Sequence, residues 1–410
     1  MTSPRVALFH PSFAVSGGAE FLIASQASGL AAEGMDLRLV TAAYAADRWS
    51  SRMVGVEVRT YPKRHWLDAL MPWDRLGKIQ RRARAAAPHF RERDVVLAYN
   101  FPTNDMLGYL DLPARTIWQC NEPPRGLHMR EANPILSSRV DASGGRYLED
   151  ATEAFAPRLR RFDQSLSGWS GLRARRQFDL DTTARLDTLF AISAFSRDNA
   201  RRIYGRCEDA PIYPVVRFPE GGRTRRGLDR VGLQVLVHSR LEVLKNIDTV
   251  LRGFARFQAT CPGARIHVVG EGAHRPQLEA LAKELLPQAA YRFHGYLPDE
   301  ELRTVYECCD VFALLTLDEP FGMVYPEAAA KGLLLIGPDH GGPLEILEDG
   351  GLGAVVDPFA PEALAEAFAA IWSLDDTEVE RRRDQADQAC RSRYSLATLG
   401  PQLKALLSAG

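Results

Sequence analysis

Arg240 and Lys245 stand five residues apart, between the apolar run Gln234–His238 and a helical stretch that starts at Ile247. An apolar run of that length predicts a buried strand, and ligands of open α/β sheets bind at the carboxyl ends of strands. Two fixed cations at such an end suit a diphosphate, because a guanidinium engages oxygens bidentately while an ammonium acts as a point charge. A solvated basic turn accounts for the same two residues, so they point to phosphate only in company.

The company lies between residues 318 and 330. Glu319 follows the predicted strand Val311–Leu315, and Glu327 falls in the helix after it. Between them the amides near Gly322, Met323 and Val324 mark a helix start, where unpaired donors favour an anion. One carboxylate can then reach a sugar while the other reaches ribose hydroxyls, with phosphates held between. Glutamates are also common at helix starts, so two surface carboxylates are the plain alternative. Gly270 and Gly272 after Arg265–Val269, and Gly341-Gly342 after Leu333–Ile336, mark two more strand ends on the same edge. Each glycine pair is also explained by a turn or a close backbone approach. His294 and His340 have no carboxylate or cysteine at metal-site spacing, so no metal ligand set is expected.

The elements that must position these groups alternate strand and helix. Arg5–His10, Asp36–Thr41, Val54–Tyr61, Asp94–Ala98, Thr116–Gln119 and Asp187–Ile192 form a first series of predicted strands. A second series runs from Gln234–His238 through Arg265–Val269, Tyr291–Phe293, Val311–Leu315 and Leu333–Ile336 to Ala354–Val356, with more regular spacing. Such alternation implies right-handed βαβ units, and so two doubly wound α/β domains. The expected division is 1–215, a Pro/Gly/Arg-rich linker at 216–231, 232–390, and a last helix at 391–410 returning to the first domain. A long arginine-rich stretch, 124–185, is too long for a loop and is expected to be helical.

With 410 residues, two cores are expected rather than one. The formal net charge of −1 supplies no global attraction for nucleic acid. Six cysteines (Cys120, Cys207, Cys261, Cys308, Cys309, Cys390) show no C-x-x-C spacing, which favours a reducing, cytoplasmic setting over a disulfide framework. No targeting segment and no membrane-spanning stretch is expected.

Taken together, Ser239-Arg240-Leu241-Glu242-x-x-Lys245-Asn246, Gly270/Gly272, His294-Gly295-Tyr296-Leu297, Glu319-x7-Glu327 and Gly341-Gly342-Pro343-Leu344-Glu345 resemble, in order and spacing, glycosyltransferase family 4. The resemblance is strong over about 235–357. It is looser before that, through Gly17-Gly18-Ala19-Glu20 and Ile192-Ser193-x-Phe195-Ser196-Arg197. It implies the GT-B fold, two Rossmann-like domains facing a cleft, a nucleoside-diphosphate sugar donor, and transfer with retention. It also implies no metal and no cofactor, with Arg240 and Lys245 neutralising the leaving diphosphate. By the same resemblance Glu327 holds ribose, Glu319 faces the donor sugar, Phe321, Gly322, Met323 and Val324 bind sugar and phosphate, Gly272 belongs to the donor site, and Gly295, Tyr296 and Leu297 border the base. Gly18 would close over the diphosphate. Many relatives carry a histidine after the strand that here is Thr116–Gln119. This chain has Gln119-Cys120-Asn121-Glu122 instead, so Asn121 is expected at a sugar hydroxyl and Glu122 near the acceptor.

The donor base, GDP-mannose against UDP-hexose, is left open, as is the acceptor: a glycan, a small molecule or a lipid-linked sugar. Lys63–Arg84 interleaves basic residues with Trp66, Leu70, Trp73 and Ile79, which fits either peripheral contact with an anionic membrane face or an amphipathic helix over the sheet, broken at Pro72. The arginines at 158–176 suit a phosphorylated acceptor or a solvated helix face. A silent nucleotide-sugar-binding protein, an epimerase and a phosphorylase on a similar fold are the competing functions.

Overall fold

The computed structural model describes residues 3–14, 17–71, 73–142, 151–167, 171–216, 218, 227–228 and 231–409. The first series of strands is β1 (Val6–His10), β2 (Leu37–Thr41), β3 (Val56–Thr60), β4 (Val95–Tyr99), β5 (Arg115–Cys120) and β6 (Thr188–Ala191), all parallel, in the order β3-β2-β1-β4-β5-β6. The second is β7 (Gln234–His238), β8 (Arg265–Val269), β9 (Tyr291–Gly295), β10 (Val311–Ala313), β11 (Leu334–Pro338) and β12 (Ala354–Val356), also parallel, in the order β12-β11-β10-β7-β8-β9. Read from the far edge, the second order is the first one repeated. The greater regularity expected of the second half therefore lies in its spacing and not in its topology.

The central strands β1 and β4 are buried along their whole length, as expected where helices cover both faces of a sheet. In β1 the alternation is direct: Val6 and Leu8 enter one core with Ile23 and Leu97, whereas Ala7 and Phe9 enter another with Ile79 and Trp118. In each sheet the winding reverses next to the first strand, between β1 and β4 and between β7 and β10. Loops leaving those neighbours part in opposite directions and leave a crevice at their carboxyl ends.

The chain forms two compact units, one of residues 1–134, 159–216 and 396–410, the other of 135–158 and 217–395. Chain order alone groups 135–158 with the first sheet. The structure instead seats Arg139 against the second, its guanidinium 4.3 Å from the Phe359 ring centroid and 3.0 Å from Asp357 Oδ2. The helix Leu396–Ser408 lies on the helix Gly18–Ala32, with Leu403 and Leu407 in the first core, Lys404 2.9 Å from Glu33, and Arg115 donating to the Leu406 carbonyl at 2.7 Å. Most of 216–231 lies outside the described residues.

The arginine-rich stretch is helical over Met129–Ala132, Pro134–Ala142, Ala151–Ser167 and Leu172–Ala184, while Tyr147 and Trp169 lie outside the described residues. It is anchored by a buried polar cluster: Asp179 accepts from Tyr204 (3.0 Å) and Asn104 (2.9 Å) and lies 2.7 Å from His128 Nε2. Burial and the neighbouring Asp179 push Asp105 up to about 9, so it is protonated at neutral pH and spares the core a second charge.

Lys63–Arg84 is two helices, Leu67–Leu70 and Arg75–Ala86, joined by Arg81 to Asp68 at 2.7 Å and Asp74 at 3.0 Å. Ile79, Ala83 and Ala86 face the core, so the longer helix is an amphipathic cover for the sheet. Trp66, Leu70 and Trp73 are 67%, 62% and 75% exposed. Among the described residues no helix is long and apolar enough to cross a membrane.

Candidate active site

The second sheet's reversal point carries the residues singled out for chemistry. After β7 the chain makes a short 3-10 turn, Val243–Lys245, and Asn246 adopts a left-handed conformation (φ 54°) before the helix Ile247–Thr260. Asn246 is buried, and its amide donates to the Leu315 carbonyl at 2.9 Å and to the Pro358 carbonyl at 2.7 Å, while its Oδ1 accepts from Thr249. Leu317 N–H and the Thr316 hydroxyl both donate to the Leu244 carbonyl. The loops after β7 and β10 are thus sewn together. That stitching sets Lys245 Nζ 2.5 Å from Glu319 Oε2, with both side chains four-fifths buried or more.

Lys245 and Glu319, 74 positions apart in the chain, form one ion pair at the carboxyl edge. Arg240 is placed differently. Its side chain is 70% exposed and bonds the neighbouring Glu242 at 2.8 Å, a pairing weak enough for an arriving phosphate to displace.

The glycines have specific work. Gly270 has φ 129°, and a Cβ there would lie 1.9 Å from the Ser239 carbonyl oxygen; one at Gly272 would lie 2.2 Å from that of Leu241. The β8 loop passes directly over the β7 loop, with Leu241 N–H donating to Glu271 and His274 N–H to Leu241. Gly342 packs its Cα against Pro320 and Phe321, where a Cβ would come within 2.3 Å of the Pro320 carbonyl, and its N–H donates to Glu319. The paired glycines at 341–342 therefore bring backbone against the Glu319 loop, and His340, 3.1 Å from the Leu317 carbonyl, buttresses that loop. Gly295 (φ 71°) is buried at the end of β9, Leu297 is half-buried, and Tyr296 is 78% exposed.

The segment Phe321–Val324 runs into the short helix Val324–Ala330. Phe321 is buried against Tyr394, whose ring centroid is 5.1 Å away; Gly322 turns with φ 93°, and Met323 and Val324 are half-buried. Glu327 stands in the first turn. Burial pushes its carboxyl up to about 7, against the opposing pull of Lys331 and with a smaller push from Asp299. Lys331, which sequence reasoning passed over, sits 3.7 Å above the Tyr306 ring, its own pKa lowered by burial. A carboxyl this reluctant to ionise gains when hydroxyl donors arrive.

On the first sheet the reversal point lies between His10 and Asn100. His10 Nε2 is 3.3 Å from Asn100 Nδ2 and 3.7 Å from Glu20 Oε1. Burial lowers His10 to about 3, so it is neutral at physiological pH. Asn121 donates to Asn100 Oδ1 at 2.7 Å and accepts from Gln119, whose Oε1 accepts from Gln26, which accepts from the Tyr99 hydroxyl. Glu122 is paired with Arg125. Gly18 opens the helix Gly18–Ala32, and a Cβ there would meet nothing within 4 Å. His10, Asn100, Gln26 and Gln119 have no role assigned by the sequence alone, and only the place of His10 as the last residue of the first strand could have flagged it.

Residues 226–391 match the family model described as Glycosyl transferases group 1. The chain is 32% identical over 194 residues to a D-inositol 3-phosphate glycosyltransferase of Corynebacterium urealyticum, covering 46% of this chain and 45% of that one. It is 30% identical over 229 residues to a glycogen synthase of Mycobacterium tuberculosis, covering 54% of each. It thus spans about half the length of the curated relatives it matches. Among solved structures, Anabaena HepE in complex with UDP and glucose superposes with a TM-score of 0.70 at 17% identity, over 98% of this chain and 99% of that one. Sucrose-phosphate synthase of Thermosynechococcus elongatus gives 0.73 at 16%, over 98% of each. The fold is therefore GT-B. Residues 226–391, which carry the second sheet, are similar to the group 1 glycosyl transferases.

Proposed function

We propose that this protein is a retaining, metal-independent glycosyltransferase that moves a hexose from a nucleoside-diphosphate sugar to a glycan, small-molecule or lipid-linked acceptor. The observation that carries the reading is the Lys245–Glu319 pair at the reversal point of the second sheet, with exposed Arg240 at the same strand end. As the glycosidic bond to phosphate breaks, negative charge grows on the diphosphate and positive charge on the sugar. Lys245 and Arg240 answer the first and Glu319 the second, in a loop held rigid before substrate arrives. Glu327 takes the ribose hydroxyls, and Gly272, Gly295, Tyr296, Leu297 and the Phe321–Val324 backbone complete the donor site. Gly18, Asn121 and Glu122 belong to the sugar and acceptor side. The names of the relatives and the UDP complex of HepE support a nucleotide sugar, with UDP-hexose and GDP-mannose both admissible.

Exposed Trp66, Leu70 and Trp73 beside exposed Lys63, Arg64 and Arg75 favour peripheral contact with an anionic cytoplasmic membrane face, hence a lipid-linked acceptor. The deciding experiment is a thermal-shift screen with UDP, GDP, ADP and TDP, then their sugars, followed by donor turnover with and without acceptor. The matching nucleotide should raise Tm, and its sugar should be consumed. Stabilisation without turnover would mean a silent binder, and no stabilisation by any nucleotide would overturn the site.

A further inference from the structure

A second cluster lies toward the opposite end of the same sheet. Cys309 and Asp310 lead into the amino end of β10, Gln234 opens β7, and His267 is the third residue of β8. There the ligand atoms of His267, Cys308 and Cys309 all come within 4.8 Å of one another. These residues are some 40 positions apart in sequence, so no spacing rule finds them; the pairing of β7 with β8 and β10 does. We propose that His267, Cys308 and Cys309 bind a thiophilic divalent cation of the Zn²⁺ class, away from the donor site.

The geometry is close to what such an ion requires. The two sulfurs are 4.0 Å apart. Two thiolates on one tetrahedral zinc, at bond lengths of ~2.3 Å, sit ~3.8 Å apart. The histidine is held as metal-bound histidines are. His267 Nδ1 lies 3.0 Å from His294 Nε2, and the rings stack at 5.3 Å, while Nε2 lies 3.5 Å from Gln234 Oε1. A partner on one ring nitrogen fixes the orientation of the other.

Charge is consistent as well. Cys308 is the last residue of the helix Asp299–Cys308, whose carboxyl end carries a partial negative charge that favours a cation. Arg265 and Arg292 oppose a positive ion near His267, and two thiolates cancel a divalent charge. The soft donor set excludes Mg²⁺ and Ca²⁺, which take oxygen ligands. Cys308 is exposed, so solvent can supply a fourth ligand and the ion can enter. A bound ion would tie this helix to β8, and two residues earlier the same helix carries Tyr306, 2.9 Å from His238 Nδ1 at the end of β7.

The test uses the full chain, reduced and stripped with chelator, titrated with Co²⁺ and then Zn²⁺. We expect one equivalent of cobalt to give tetrahedral visible bands and a thiolate charge-transfer band, both bleached by zinc. Cys308→Ser, at an exposed position that threatens no core, should lose most of the charge-transfer intensity and at least tenfold in affinity. His267→Gln should weaken binding while keeping a thiolate band, and at equal concentration Zn²⁺ should raise the Tm of the wild type more than that of either variant. Absence of a thiolate band in the reduced wild type, or an unchanged band in Cys308→Ser, overturns the proposal. Donor turnover that continues without the ion keeps this site separate from the one proposed for catalysis.

Discussion

Replacing Glu327 with Gln should stabilise the protein at alkaline pH and leave it nearly unchanged under mildly acidic conditions. Burial lifts this carboxyl from 4.5 to about 7. Its folded-state pKa lies above the unfolded one, so its contribution to stability is complete below about pH 4.5 and is lost as pH rises through about 7. A shift of about 2.5 units corresponds to about 3 kcal/mol between the two limits. Gln keeps the shape and carries no charge, so it escapes that penalty, which is already net of the attraction to Lys331. The assay is urea unfolding of wild type and variant at a series of pH values from about 5 to 8.5, where pH effects common to both cancel in the difference. The variant's advantage should grow by roughly 2–3 kcal/mol across that range, mostly below pH 7.5. A difference that stays flat refutes the reasoning, because Glu327 would then ionise as easily folded as unfolded.

Function supplies the remaining expectations. Arg240→Ala and Lys245→Ala should each cost about 3–4 kcal/mol of transition-state stabilisation in single-turnover measurements, with little loss of fold for exposed Arg240. Lys245→Ala also leaves Glu319 without its 2.5 Å partner, so the double variant with Glu319→Gln should lose less than the sum of the two singles. Glu319→Gln should lower kcat with nucleotide affinity near normal, whereas Glu327→Gln should raise KM more than it lowers kcat; titration with free nucleoside diphosphate separates the two. Turnover should survive EDTA, and an absolute need for Mg²⁺ or Mn²⁺ would contradict the roles given to Arg240 and Lys245. Trp66→Ala with Trp73→Ala should weaken co-sedimentation with anionic vesicles, and salt should release the wild type.

The inner strands were legible because they are short apolar runs bounded by polar turns, as β1 and β4 are. Ends shifted by a residue or two, as for Val56–Thr60, where hydrogen bonding and not hydropathy sets the limit. The candidate site was legible as a list of residues and illegible as an arrangement. Nothing near Lys245 signals that Glu319 is its partner, since that pairing depends on which strands become neighbours. The glycines at 341–342 were recognised as a close approach, but what approaches them is the Glu319 loop. The His10–Asn100–Asn121 chain was invisible for the same reason, its members standing at the carboxyl ends of three strands joined only by sheet order. Residues 135–158 escaped because a helical pattern says which face is apolar and not which sheet that face will cover.

The helix Leu396–Ser408 gives the protein's synthesis an awkward order. Leu403 and Leu407 fill the core of the unit that contains β1, yet they are translated after all of the other unit. At ordinary elongation rates the ribosome takes roughly 10–40 s to make residues 217–395. Throughout that interval the helix Gly18–Ala32 lacks its cover, and Gly29, whose Cβ would lie 2.4 Å from Leu396, faces water instead of a leucine. The nascent chain therefore presents an apolar stripe to chaperones throughout that interval. A stop codon or proteolytic cut before residue 396 would leave that stripe open permanently, marking the truncated product for quality control even though every residue of the proposed donor site would be present.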